Sequence, residues 1–305
     1  MTADTRETMR ERLYRREPVF SFEFFPPKDE AGEKALGRAL DELTPLHPAF
    51  ISVTCGAGGS TRGRTGALVG SLQKRLPFGV VAHIVGRGSS RAELAAQVRS
   101  YREAGIRSFL ALRGDAPRSQ VPRTVEDEPA HADEVVRIVR ANAPDASIGV
   151  AGYPEGHPES PGLEEDIRNL SRKMEAGADF VVTQMFFENE AYFHFQRLAR
   201  KNGVRAPILP GIMPVTRAGQ IEKYCELTGK ALEIPEGLRR GIHGLRDNPD
   251  RARELGVAYC AAQCADLLRR NAPGIHFFTL NQSRACHAVY EALRAMGWAA
   301  ERDDA

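Results

Sequence analysis

One carboxylate stands among three aromatic rings in Phe22-Glu23-Phe24-Phe25-Pro26-Pro27. Burial against apolar rings disfavours ionisation, so Glu23 is a candidate proton donor near neutral pH. A paired core carboxylate with no chemistry is the alternative meaning of the same segment. Other apolar runs also end in polar groups: Thr54, His83 within Val80-Val-Ala-His-Ile-Val85, Arg113-Gly114-Asp115, Tyr153-Pro-Glu-Gly-His157, and Thr183-Gln184. Taken singly, each has a structural explanation. Together they offer acids, bases and charge-assisted donors to a polar ligand. Farther along, Asp166, Asn169 and Lys173 fall on one helical face, placing an acceptor, an amide and a cation in line. That order suits either a solvated surface or a ligand with a sugar hydroxyl at one end and a phosphate at the other.

These residues need a scaffold that brings several strand ends together. Short apolar runs read as buried strands at Val19–Phe24, Phe50–Cys55, Val80–Val85, Ser108–Leu112, Ser147–Tyr153, Phe180–Met185, Ile208–Ile212 and Ile275–Leu280. Between them, helical periodicity appears near Asp29–Leu43, Arg64–Leu76, Ser90–Ala104, Ala132–Ala141, Leu163–Ala176, Asn189–Lys201, Thr216–Leu227 and Arg251–Arg270, with a last helix near Ala285–Met296. In Leu163–Ala176, the residues Leu163, Ile167, Leu170 and Met174 form the core-facing stripe. Eight strands alternating with helices predict an α/β fold, a single (β/α)8 barrel over residues 1–305, with extra helices between strands seven and eight. Residues 1–17 form an N-terminal helical extension in this reading, and 298–305 a frayed tail. A doubly wound sheet would alternate too, but Gly56-Ala-Gly58-Gly59-Ser-Thr61 lacks the third glycine of a dinucleotide fingerprint, and no Walker loop is present. In a barrel, the polar strand ends converge on the face where active sites form.

Composition narrows the partners. A net charge of +2, from 42 basic and 40 acidic side chains, argues against nucleic acid or an anionic membrane as a partner. The N-terminal residues carry charges of both signs without an apolar signal region, so a cytoplasmic location is expected. Five scattered cysteines are not a disulfide framework. Cys260 and Cys264 share a helical face that could hold a metal, but no nearby histidine completes a ligand set; core packing and no metal site are expected.

Seven segments in order, Phe22-Glu-Phe-Phe-Pro-Pro27, Ser52-Val-Thr-Cys-Gly56, Ala111-Leu-Arg-Gly-Asp115, Tyr153-Pro-Glu-Gly-His-Pro-Glu159, Thr183-Gln-Met-Phe-Phe187, Pro210-Gly-Ile-Met-Pro-Val215 and Phe278-Thr-Leu-Asn281, carry a resemblance over nearly the whole chain. The chain resembles the bacterial, single-domain form of methylenetetrahydrofolate reductase. The resemblance implies FAD at the strand ends, NADH or NADPH as electron donor, and reduction of 5,10-methylenetetrahydrofolate to 5-methyltetrahydrofolate. Hydride would pass through the flavin N5 in a ping-pong sequence, reversibly, within one-carbon metabolism and methionine biosynthesis. It makes Glu23 the general acid and sets Asp115 beside the flavin as an ionised partner that Arg113 holds in place. Thr54, His83, Arg113, Gly114, Asp115, Tyr153, His157, Asp166, Asn169 and Lys173 become FAD contacts, and Gln184 and Gln282 folate contacts. Partners are then tetrahydrofolate derivatives and further copies of the chain in a homo-oligomer.

Three positions depart from relatives: Ile84-Val85-Gly86 follows His83 in place of Leu-Thr, Ala218 stands where some have an aromatic, and Gln282 where some have arginine. They bear on one flavin contact, on stacking of nicotinamide or pterin, and on the folate tail respectively. Other readings remain open at this level: a proline dehydrogenase-type barrel, a reductase without flavin, and a folate-binding barrel without catalysis.

Overall fold

The computed structural model describes residues 7–15, 17–55, 62–115, 125–229 and 232–299. A short helix, α1 (Met9–Leu13), precedes the first strand. Strands β1 (Val19–Phe24), β2 (Phe50–Val53), β3 (Gly79–Val85), β4 (Ser108–Leu112), β5 (Ser147–Gly152) and β6 (Phe180–Thr183) follow, each parallel to the next. Their connections are α2 (Glu30–Leu43), α3 (Arg62–Arg75), α4 (Arg91–Glu103), α5 (Ala132–Asn142) and α6 (Leu163–Glu175), and α7 (Asn189–Lys201) leads out of β6. Next come β7 (Ile208–Leu209), β8 (Gly211–Ile212), α8 (Gln220–Thr228), α9 (Glu236–Gly244), α10 (Pro249–Arg269), β9 (Gly274–Phe278) and α11 (Ser283–Ala295).

The sheet runs β7-β6-β5-β4-β3-β2-β1-β9-β8. Only Pro210 separates β7 from β8, so these are two halves of the expected seventh strand. The first half pairs with β6 and the second with β9, which brings the barrel round on itself. Proline breaks the strand because it has no N–H for the ladder, while its carbonyl still accepts from His276 N at 2.9 Å. Gly211 is required beside it: a Cβ there would sit 2.2 Å from the Thr183 carbonyl oxygen.

Side-chain alternation separates two layers. Phe20, Phe22, Phe24, Ile51, Val53, Ala82, Ile84 and Phe277 face outward into the main core beneath the helices. Val19, Phe50, Val81, Leu110, Phe180, Val182 and Leu209 form a core with Met9 and Leu13 of α1. Met9 N and Arg10 N donate to Ser108 Oγ and Ser147 Oγ, at 3.2 and 2.9 Å, so α1 closes the N-terminal end of the barrel. A third cluster joins Met185, Phe187, Met213 and Val215, beyond the ends of β6 and β8, to Ile221, Tyr224, Leu238, Ile242 and Ala252 of the inserted helices.

The extra helices fall where the sequence places them, although α9 is an addition to the periodic segments. The last strand stops at Phe278, before the expected Leu280, because Leu280 and Asn281 turn into left-handed backbone at φ +48° and +57°. Trp298 and Ala299 pack against the main core, so the start of the expected frayed tail is held in place. Residues 300–305 and the glycine-rich stretch 56–61 lie outside the described residues.

Candidate active site

Strand alternation sends Ser21 and Glu23 into the barrel and Phe22 and Phe24 out of it. Phe22 stacks on Phe277 with ring centres 5.6 Å apart, and Phe24 is fully buried in the outer core. Two of the three aromatic residues, Phe22 and Phe24, therefore turn away from the carboxyl, contrary to the expectation from the segment alone. Glu23 Oε2 instead accepts from Ser52 Oγ at 3.2 Å and from His276 Nε2 at 3.4 Å, and lies 3.3 Å from His83 Nε2. Burial would raise its pKa, but hydrogen bonding to His276 and His83 outweighs it and pushes Glu23 down to about 2. In the ligand-free protein the carboxyl is therefore ionised at neutral pH. Ser21 Oγ stands 2.8 Å from His276 Nδ1. When His276 is neutral, donation from Nε2 to the carboxylate leaves Nδ1 to accept from the Ser21 hydroxyl.

Around this cluster lie the other strand ends. Thr54 and His83 are buried; Thr54 Oγ1 has no hydrogen-bond partner, and His83 Nε2 faces the Glu23 carboxylate alone. At the end of β4, Arg113 pairs with Glu159 at 2.6 Å rather than holding Asp115, which is exposed. Gly114 has φ +86°, and a Cβ there would come 2.3 Å from Val85 Cγ1. The loop after β5 sets Tyr153 edge-on to His157, ring centres 4.6 Å apart. Burial pushes the Tyr153 phenol up, and burial followed by the charge of Arg113 pushes the His157 imidazole down. Asp166 fixes that loop by accepting from His157 N and Ser160 Oγ.

The helical face of α6 divides. Asp166 turns into the loop, and Asn169 Oδ1 accepts from Arg172 Nη1 at 2.9 Å. Lys173 reaches the end of β5, where Nζ donates to the Ala151 carbonyl at 2.6 Å. Burial brings Lys173 down to about 8, against the opposing pull of Asp166. Gln184 is half-buried on the C-terminal face, its Oε1 accepting from Met185 N at 2.9 Å. Thr183 does structural work instead, accepting from Gly211 N at 2.9 Å. Gln282 is exposed at the start of α11, and Ala218 packs on the third cluster.

A family model described as methylenetetrahydrofolate reductase matches residues 8–294. The chain belongs to the methylenetetrahydrofolate reductase family. It is 34% identical to the 5,10-methylenetetrahydrofolate reductase of Escherichia coli K12 over 273 residues, covering 90% of each chain. The corresponding protein of Pectobacterium carotovorum is 32% identical over 273 residues, which is 90% of this chain and 89% of that one. Among solved structures, an uncharacterised Clostridium thermocellum protein that binds two copies of 5-methyl-5,6,7,8-tetrahydrofolic acid superposes with a TM-score of 0.63. At 13% identity, over 95% of this chain and 99% of that one, it supports the barrel fold alone.

Within this reductase family barrel, sequence reasoning missed His276, Ser21 and Ser52. The available signal was parity: Ser21 shares the inward face with Glu23, and His276 interrupts an apolar strand in Gly274-Ile-His-Phe-Phe278. The residues present also fit a bound flavin. The orphaned buried hydroxyl of Thr54 and the cation of Lys173 at the end of β5 offer what a polar, phosphate-bearing cofactor needs.

Proposed function

We propose that this protein reduces 5,10-methylenetetrahydrofolate to 5-methyltetrahydrofolate, using FAD and a reduced nicotinamide, NADH or NADPH. The reading rests on one observation above the rest: a buried carboxylate, Glu23, set between two imidazoles at the C-terminal end of a barrel of this family. FAD, when bound, supplies the hydride. Thr54, His83, Arg113, Gly114, Tyr153, His157, Asp166, Asn169 and Lys173 would hold it, with Lys173 and Arg113 the cations for its phosphates.

The protein's own chemistry is proton management. Opening the methylene bridge needs a proton on the departing folate nitrogen. Glu23 is an anion in the free protein, so the cluster must take up one proton from solvent as folate binds; Glu23, with His83 Nε2 and His276 Nε2 within 3.4 Å of Oε2, would hold that proton and pass it to the folate nitrogen, returning to the carboxylate. Ser21, at His276 Nδ1, keeps that imidazole oriented. Asp115 supplies negative charge for the cationic folate that ring opening leaves, and Gln184 orients the pterin. A polar buried cluster of this kind stores a proton without an isolated neutral carboxyl.

Two measurements test the reading together. The purified protein should show flavin absorbance and oxidise reduced nicotinamide in proportion to added methylenetetrahydrofolate, with parallel lines in double-reciprocal plots. A colourless active protein, or intersecting lines, would exclude the flavin-mediated ping-pong scheme.

A further inference from the structure

Beyond the Glu23 cluster, the residues just past β1 and β9 are fixed to each other by a second arrangement. Thr279 Oγ1 donates to the Glu23 carbonyl at 2.6 Å, and Asn281 N donates to Thr279 Oγ1 at 3.0 Å. The Asn281 side chain then holds both backbone groups of Phe25: Oδ1 accepts from Phe25 N, and Nδ2 donates to Phe25 O, each at 2.9 Å. Only one amide orientation satisfies both bonds. To make them, Leu280 and Asn281 adopt successive left-handed conformations, which a leucine resists.

What this clasp fixes is an exposed aromatic. Phe25 is 37% exposed, and the other exposed large apolar side chains among the described residues lie elsewhere, Tyr14 at the end of α1 and Met296 at the end of α11. Continuing the alternation of β1, Phe25 falls on the same side as Ser21 and Glu23, one level nearer the mouth. Pro26 and Pro27 stiffen the chain on its far side. A ring left partly in water on a backbone held at both polar atoms is preorganised to receive another ring.

We infer that Phe25 is the aromatic contact for the ring system of the bound folate, and that Asn281 is the residue that positions it. The inference rests on the proposed folate reductase reading. Folate is the substrate chosen because Phe25 continues the inward parity of Glu23, the group used only in the proposed folate step.

The test measures the Kd of 5-methyltetrahydrofolate for the oxidised, flavin-loaded protein by flavin absorbance changes, alongside the rate of flavin reduction by nicotinamide. Phe25→Leu keeps apolar volume but removes the ring, and Asn281→Gly keeps the left-handed backbone but removes the clasp. Each should weaken folate binding about tenfold, with the nicotinamide step at its wild-type rate. Asn281→Asp, which can accept from Phe25 N but cannot donate to its carbonyl, should fall between Asn281→Gly and the wild type. Wild-type folate affinity in Phe25→Leu or Asn281→Gly, or equal losses in both measurements, overturns the inference. Failure of the unaltered protein to bind folate would instead overturn the reading beneath it, along with the inference.

Discussion

Glu23 shows how far a residue's chemistry depends on partners that are distant in sequence. Its neighbours Phe22 and Phe24 turn away from it, and its electrostatic partners His83 and His276 arrive from β3 and β9. The segment places Glu23 at a strand end but not its partners, because a run of residues displays what is adjacent along the chain rather than across the barrel. The depressed pKa has a sign that can be checked. A carboxylate held near 2 stabilises the fold above its unfolded value, and that stability is lost as pH falls from about 4.5 through about 2. Over this window the wild type should lose about 3 kcal/mol more than Glu23→Gln in denaturant titrations. Lys173 gives a second pH signature. With its pKa lowered to about 8, FAD affinity of the apoprotein should fall as pH rises through that value, since the ammonium loses its charge. Lys173→Met should bind FAD more weakly at neutral pH and show no such step in a fluorescence titration.

At the scale of elements, the barrel closes at its most irregular point. Pro210 interrupts the seventh strand and Gly211 brings its second half against Thr183 and Phe278. Gly211→Ala would drive a Cβ into the Thr183 carbonyl, so it should cost about 3 kcal/mol in chemical denaturation and loosen the β6 to β9 seam. The strands were legible because both faces of each are buried and their apolar runs are continuous. Helix α6 was legible for the opposite reason, a polar and an apolar face in strict periodicity, and Ile167 and Leu170 are buried as that pattern requires. Two features escaped. Helix α9 carries three glycines within Glu236–Gly244 and has weak helical propensity, so it owes its form to packing of Leu238 and Ile242 on the third cluster. The end of β9 escaped because Thr279 and Asn281 bond to β1, a long-range demand that local pattern does not encode.

For the whole molecule, three apolar clusters surround a polar layer. One lies between sheet and helices, one fills the N-terminal end behind α1, and one caps the far side beneath α8, α9 and α10. The polar layer between them holds Glu23, His83, His276, Ser21 and Ser52, all buried. Among the described residues no helix is long and apolar enough to cross a membrane. The proposed mechanism assigns the protein's part in the reaction to one place, the Glu23 cluster, and to one half of the cycle. Anaerobic stopped-flow spectrophotometry of the flavin, following its reduction by nicotinamide and its reoxidation by methylenetetrahydrofolate in the wild type and in Glu23→Gln, tests that assignment directly. The account requires near-complete loss of the folate half-reaction in Glu23→Gln with flavin reduction largely retained; equal loss of both would contradict it.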